Sequence, residues 1–231
     1  MVMEEQNRLR LYLESDPVRF FEREAFENMG VARLELSKFL NANPDGMTFC
    51  QNATSGVNTV LRSLTLKQGD EIIIPNHSYQ ACWNAIDFVA SRWGAKVVVV
   101  DLPFRCDSEE EIIEPLLGAI TPRTVLAMID TVTSPTGLRM PFEKLVEEFQ
   151  LRGVDVLLDA AHGPGIVPMD LAKLDVAWVT GNCHKWLCSP KGSAFLHIRE
   201  DKKKETKPLT ISHGHSADLS PQEKFRFEFD W

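Results

Sequence analysis

An aspartate and a lysine each follow a predicted strand, and this pairing suggests cofactor chemistry. Asp159 comes directly after the apolar run 154–158, and Lys185 comes shortly after the apolar run 176–180. In a parallel α/β sheet both loops emerge at the edge where ligands bind. A lysine can form a Schiff base with pyridoxal 5′-phosphate (PLP), and a carboxylate can pair with its protonated ring nitrogen. We therefore predict a PLP site at this edge, although each residue alone is typical of an exposed loop.

A phosphate site is predicted where the first strand, 47–50, leads into a helix. Asn52, Ala53 and Thr54 lie at this junction, within a segment of small and hydroxyl-bearing residues. Small residues let the backbone approach an anion closely, and the amino end of a helix attracts negative charge. An ordinary helix cap explains the segment by itself. Its combination with the Asp159 and Lys185 loops favours phosphate binding.

Four further loop residues could contact a planar cofactor ring. His77 and Tyr79 follow the second predicted strand, and either one could stack on the ring. Ser134 lies in a turn-rich loop after the fourth strand and could reach the ring hydroxyl or a substrate carboxylate. His162 could lie beside the ring oxygen or stack beneath the ring edge. A local structural role is the alternative for each of these residues.

From residue 47 onward, short apolar runs alternate with helical patterns, which is typical of βα units and a mainly parallel sheet. We predict an α/β fold with a seven-stranded sheet, six strands parallel and the last antiparallel, and helices on both faces. The last strand can fold back because no long helix precedes it. The predicted strands are 47–50, 71–75, 96–101, 124–129, 154–159, 175–180 and 193–198, and the predicted helices between them are 55–64, 80–91, 108–120 and 141–152.

The two ends of the chain differ from this pattern. Residues 1–45 are predicted to form an amino-terminal helical segment, and residues 46–231 the cofactor-binding large domain. Aromatic and charged residues alternate over 225–231 as they would in a strand. Aromatic side chains on one face of an exposed strand need a partner, so we expect the chain to associate.

Composition limits the remaining classes of function. A net charge of -8 argues against nucleic acid and anionic membrane as partners. No apolar stretch approaches the roughly 20 residues of a membrane span, and no signal-peptide core is present, so a cytoplasmic location is predicted. The five cysteines include no CxxC pair, and the pair His213 and His215 lacks a third ligand nearby. We therefore predict reduced cysteines and no metal site.

Several of these segments resemble motifs of the class V aminotransferases, a family of fold type I PLP enzymes. The segment 159–162 matches the family's Asp-(Gly/Ala)-Ala-(His/Gln) element, and 184–192 matches its His-Lys…Gly-Pro-x-Gly element except for Ser189. The segments 52–54 and 133–137 match its phosphate loop and its Ser-Pro-Thr-Gly turn. The sequences of these motifs most resemble those of the isopenicillin N epimerase-like branch, which also resembles hercynylcysteine sulfoxide lyases.

This resemblance implies the three-layer large domain of PLP-dependent transferases, PLP as cofactor, an amino acid as substrate and a homodimer as the assembly. It implies that Lys185 forms the Schiff base, that Asp159 pairs with the ring nitrogen and that His162 contacts the ring oxygen. Family members are longer, so we expect a truncated chain without the carboxy-terminal small domain. The positions that the resemblance assigns to the phosphate are Asn52, Ala53, Thr54, Asn182 and His184.

Several reactions remain open to such a site. Epimerisation, transamination and C–S bond cleavage all follow from a carbanion stabilised by PLP, with Lys185 as the general base. A cysteine desulfurase is less favoured, because Cys183 lies beside the lysine on an element unsuited to a mobile nucleophile. The alternative function is a non-catalytic or partly active truncated module that acts through dimerisation.

Overall fold

The computed structural model describes residues 1–230, and a seven-stranded sheet is its central layer. The strand order is β1-β7-β6-β5-β4-β2-β3. Strand β7 runs antiparallel to both of its neighbours, and every other pairing is parallel, so the predicted topology is confirmed. The strands are β1 (Met47–Cys50), β2 (Glu71–Pro75), β3 (Lys96–Val100), β4 (Thr124–Asp130), β5 (Asp155–Ala160), β6 (Trp178–Asn182) and β7 (Ala194–Ile198).

Helices precede the sheet and cover both of its faces. A π-helical turn, Phe20–Glu24, joins the second helix to the third, so helices occupy most of the first 40 residues. No helix within residues 1–230 is both long and apolar enough to cross a membrane. The helices are α1 (Val2–Ser15), α2 (Pro17–Arg19), α3 (Ala25–Leu40), α4 (Ala53–Ser63), α5 (Gln80–Trp93), α6 (Glu110–Gly118), α7 (Phe142–Leu151), α8 (Leu171–Leu174) and α9 (Pro221–Asp230).

The core lies on both sides of the sheet, as expected for parallel strands. Ile73 of β2 packs into a cluster with Phe149 of α7 on one face. Its neighbour Ile72 points to the other face and packs with Val60 of α4 and Ile86 of α5. Since successive strand residues alternate between faces, a strand covered on both sides must be apolar throughout. This explains the continuous apolar runs in the sequence and the three-layer architecture.

The prediction of a strand-like carboxyl end is wrong within the described residues. Residues Pro221–Asp230 form helix α9, while Trp231 lies outside the described part. Proline suits the first turn of a helix. Phe225 and Phe229 are four residues apart, which places both on one helical face, and their ring centroids lie 4.9 Å apart. Phe225 is buried against the same side of the sheet as α4.

Strand β6 is displaced from the predicted range 175–180. Asp175 has a left-handed backbone, with φ of 43°, because it ends α8. The strand begins only at Trp178, and it continues through Gly181 and Asn182 because these residues pair with β7. This pairing carries the polar Asn182 to the edge of the sheet where the site lies.

Candidate functional site

A cleft of about 790 Å³ opens at the carboxyl edge of the sheet. The loops that follow β1, β2 and β6 line it, as expected for a parallel α/β sheet. The structure thus brings together the predicted site residues Asn52, Thr54, Tyr79, Asn182, His184 and Lys185.

One end of the cleft is the amino terminus of α4. Asn52 caps the helix, and its Oδ1 accepts the N–H of Ser55 at 2.8 Å. The Ala53 N–H donates to Asn182 Oδ1 at 2.9 Å, which ties the helix to β6. Within residues 1–230, no partner is found for the N–H or the hydroxyl of Thr54. Thr54 therefore supplies free donors at the positive end of the helix dipole, whereas the Ala53 N–H is already engaged.

Helix α4 approaches β6 unusually closely at Gly56. A Cβ on Gly56 would lie 2.0 Å from Thr180 Oγ1 and 2.7 Å from Thr180 Cβ. Only glycine allows this contact, because the Thr180 side chain is fully buried and its hydroxyl donates to Phe195 O at 2.9 Å. Sequence reasoning missed Gly56 and Thr180, although a glycine in the first turn of a helix was a usable signal.

Asp159 lies at the end of β5 with 3% of its surface exposed. Its Oδ1 accepts the Ala161 N–H at 2.8 Å, and its Oδ2 lies 3.3 Å from the Cys82 thiol, which donates to it. Burial raises the pKa of Asp159, while these two donors and the charge of Lys185 act against that rise. Cys82 was not predicted as a site residue. It lies one helical turn after Tyr79, on the helix that covers this part of the sheet.

A second buried carboxyl lies next to Asp159. Asp130 ends β4 directly opposite Asp159 in the strand register, and the Ser78 hydroxyl donates to Asp130 Oδ2 at 2.5 Å. Burial, and then the charge of Asp159, raise the pKa of Asp130 well above its usual value. Two adjacent carboxyls seldom ionise together. Asp130 is therefore the one that keeps its proton, and Asp159 carries the negative charge.

Lys185 lines the cleft and contacts His162, which is not one of the residues that line it. Lys185 Nζ lies 2.9 Å from His162 Nε2, and the Trp186 indole N–H donates to His162 Nδ1 at 3.1 Å. Burial lowers the pKa of Lys185, and burial together with the charge of Lys185 lowers the pKa of His162. A lysine with a lowered pKa is a better nucleophile and base near neutral pH.

The remaining predicted contacts divide into two groups. Tyr79 is 45% exposed and lines the cleft, whereas His77 is buried between Thr136 Oγ1 and the Leu102 carbonyl, each 3.2 Å from a ring nitrogen. Ser134 is exposed in its loop and does not line the cleft. Of the two stacking candidates, the structure thus places Tyr79 at the cleft. The proposed contacts of His77 and Ser134 remain predictions.

The side chain of His184 lines the cleft with a defined hydrogen bond. Its Nδ1 donates to the Ser193 carbonyl at 2.8 Å. In the neutral ring the other nitrogen, Nε2, then carries a lone pair. His184 would have to be protonated to donate to a phosphate from Nε2.

This set of groups fits the chemistry of PLP. The amino end of α4, with the free donors of Thr54, suits a phosphate. The buried carboxylate of Asp159 suits a protonated ring nitrogen, and the amine of Lys185 suits an aldehyde carbon. Tyr79 offers an aromatic face beside them.

The chain matches a family model and several curated proteins. The family model described as aminotransferase class-V matches residues 15–229. Isopenicillin N epimerase from Amycolatopsis lactamdurans is 34% identical over 216 residues, which cover 91% of this chain and 54% of that protein. Hercynylcysteine sulfoxide lyase from Schizosaccharomyces pombe is 30% identical over 190 residues, covering 81% of this chain and 48% of that protein.

A solved structure shows the same fold. The cystine C–S lyase C-DES, in complex with its reaction product cysteine persulfide, aligns with a TM-score of 0.82 at 20% identity. The alignment covers 99% of this chain and 66% of that one. The chain spans about half the length of the curated relatives it matches.

Proposed function

The chain belongs to the class V aminotransferase family, whose cofactor is PLP, and we propose that it acts on an amino acid through a covalent bond between Lys185 and this cofactor. The observation that carries the proposal is the shared cleft. It brings the amine of Lys185 together with the free donors of Thr54 at the end of α4. The buried carboxylate of Asp159 lies close enough to act on the charge of Lys185.

Each of these groups has one task in holding the cofactor. The Thr54 N–H and hydroxyl, with the helix dipole, bind the phosphate. Asp159 would keep the proton on the ring nitrogen, and Tyr79 would offer an aromatic face to the ring. When bound, PLP supplies an electron sink that stabilises a carbanion at the substrate Cα.

Lys185 then serves as the general base. With PLP bound, Lys185 would hold the cofactor, and its Nζ would be the atom that takes the Cα proton of the substrate. Burial lowers the pKa of Lys185, which raises its neutral fraction near pH 7. Asp159 would not take this proton, because its charge would be paired with the ring nitrogen.

The reaction type we propose follows from proton removal at Cα. Epimerase, C–S lyase and aminotransferase chemistry all start with this step. Relatives named isopenicillin N epimerase and hercynylcysteine sulfoxide lyase support the first two. Cysteine desulfurase chemistry is less favoured, since Cys183 is buried and burial raises its thiol pKa to about 11. The homodimer and the cytoplasmic location remain predictions.

The test is covalent attachment of the cofactor. The chain is incubated with PLP, reduced with borohydride and analysed by peptide mass spectrometry. We expect the added mass on the Lys185 peptide. Lys185→Ala should remove it, and Lys191→Ala, an exposed lysine of the same loop, should not. Attachment at another lysine, or unchanged attachment in Lys185→Ala, would refute the proposal.

A second measurement separates catalysis from cofactor binding alone. Amino acids are incubated with the PLP-loaded chain in deuterium oxide, and exchange of the Cα proton is followed by NMR. Exchange that disappears in Lys185→Ala supports the enzyme. Attachment at Lys185 without any exchange supports the alternative of a cofactor-binding module that does not catalyse.

A further inference from the structure

We propose that Trp186 is a positioning residue, which keeps His162 in its Nε2–H tautomer and so holds Lys185 as the neutral amine. This inference rests on the proposed function, because it concerns the reactive form of Lys185. Neither the composition nor the motifs of the sequence suggest this role for Trp186 or this tautomer for His162.

The hydrogen-bond donors define the tautomer. An indole N–H can only donate, so His162 Nδ1, at 3.1 Å from Trp186 Nε1, must accept. A neutral imidazole has one N–H, which is then on Nε2. That nitrogen lies 2.9 Å from Lys185 Nζ. An ammonium has no lone pair, so only a neutral lysine can accept the Nε2–H.

The other protonation states each break a contact. A protonated His162 would turn an N–H toward the indole N–H, and so would the Nδ1–H tautomer. A charged Lys185 can only donate, so Nε2 of His162 would have to accept while Nδ1 already accepts from the indole. The ring would then carry no proton on either nitrogen. Burial lowers the pKa of both Lys185 and His162, in agreement with the neutral pair.

Two titratable neighbours face this pair from other elements. The carboxylate of Asp159 on β5 favours the charged form of Lys185 and thus opposes the effect of burial. The Cys82 thiol of α5 donates its proton to Asp159 and stays uncharged, because burial raises its pKa. Tyr79 and His184 also line the cleft. Burial and the His162 N–H therefore both favour the neutral amine, against the negative charge of Asp159.

Backbone packing holds the two rings together. Gly165 has φ of +94°, and a Cβ there would lie 2.7 Å from the Trp186 carbonyl oxygen. The loop after β5 therefore packs directly against the backbone of the Lys185 loop, which only glycine permits. The His162 and Trp186 ring centroids lie 6.4 Å apart, and Trp186 is 53% exposed.

The neutral pair is useful for the proposed chemistry in two ways. A neutral amine can attack an aldehyde or take a proton, whereas an ammonium cannot. With the Lys185 amine engaged by PLP, the Nε2–H of His162 would be available for the ring oxygen, the contact that the family resemblance implies for this residue.

The first experiment reads the tautomer directly. Histidine labelled with ¹⁵N is incorporated, and ring nitrogen–proton correlations are recorded for the chain without cofactor. His162→Gln identifies the His162 signals by their loss. We expect the Nε2–H tautomer in the parent chain, a shift toward Nδ1–H in Trp186→Phe, and no change in Trp93→Phe, an exposed tryptophan at the end of α5. An Nδ1–H tautomer in the parent chain would overturn the proposal without any variant.

The second experiment reads the lysine. Reductive methylation of Lys185 by formaldehyde is followed by peptide mass spectrometry over a range of pH. In Trp186→Phe the ring can accept from an ammonium, so the profile should move to higher pH. The loss of one hydrogen bond predicts a roughly fivefold lower rate at neutral pH. An unchanged rate and profile would refute the role of Trp186.

These results are separable from those that test the proposed function. Failure of PLP to attach to Lys185 would refute the function, while the tautomer would still be readable in the free chain. Attachment at Lys185 with the wrong tautomer, or without an effect of Trp186→Phe, would refute the positioning role alone.

Discussion

Gly56→Ala should force α4 away from β6. The added Cβ would lie 2.7 Å from Thr180 Cβ, so about 0.7 Å of movement is needed to reach 3.4 Å, an ordinary contact distance. Rotation of the Thr180 side chain cannot relieve this clash, because its Cβ does not move when the side chain rotates. The helix or the strand must therefore shift.

The expected cost combines two effects. Inserting a carbon into a filled core costs about 1–3 kcal/mol. A rigid shift of α4 by 0.7 Å would also lengthen the bond from Ala53 N to Asn182 Oδ1, now 2.9 Å, beyond the normal range. That loss adds about 1 kcal/mol. Gly56→Ala should thus lower the free energy of unfolding by about 2–4 kcal/mol and weaken PLP binding, because the phosphate donors move.

Urea unfolding and PLP titration measure these two effects. Gly30→Ala is the matched control, since Gly30 lies inside helix α3 and a Cβ there would meet nothing within 4 Å. In that open position alanine should stabilise the chain by roughly 0.4–1 kcal/mol. If Gly56→Ala unfolds at the same urea concentration as the parent chain, the close approach of α4 to β6 is not a constraint.

Three further predictions concern other parts of the structure. Arg33→Met should lower the free energy of unfolding in urea by about 3 kcal/mol. The substitution removes the ion-pair partner of the buried Asp230 side chain, which lies 2.6 Å away. Lys38→Met breaks an exposed ion pair and should lower this free energy by less than about 1 kcal/mol. Asp130→Asn should stabilise the chain at about pH 8 but not near pH 4. Burial raises the pKa of Asp130 in the folded chain, so the parent chain loses stability as the pH rises from about 4 toward that raised pKa. Equal pH profiles of unfolding for the two chains would contradict this. Cys188→Ser should remove the fastest phase of thiol labelling, because Cys188 is exposed while two of the other four thiols are buried.

Much of the sheet could be predicted because its strands are buried on both faces. Strand Glu71–Pro75 is apolar after its first residue, and its bounds match the prediction. Strand β6 was misplaced because Gly181 and Asn182 join it through pairing with β7, and Gly181 also through pairing with Ala160 of β5; these are contacts between residues distant in the sequence. Helix α9 was mistaken for a strand because its aromatic residues recur at every second position, a spacing that includes the pair four apart.

Site residues could be predicted where one loop carries a motif. Contacts between elements that are distant in the sequence could not be predicted. Asp159 and Lys185 stand out in the sequence because each follows an apolar run. Asp130 reaches Asp159 through the register of β4 and β5, and Cys82 reaches it from α5. Trp186 reaches His162 through the packing of two loops. None of these three contacts has a signature in the local sequence.

The neutral neighbours of Asp159 explain how it could hold a cationic ring. If Lys185 were an ammonium, it would be the natural counter-ion of Asp159, and a ring nitrogen would have to displace it. The His162 N–H removes this competition by favouring the neutral amine. On the adjacent strand Asp130 keeps its proton, so it neither attracts the ring nor shares its charge. With Lys185 neutral, Asp159 accepts from the N–H of Ala161 and the thiol of Cys82, and a protonated ring nitrogen would be a stronger partner than either.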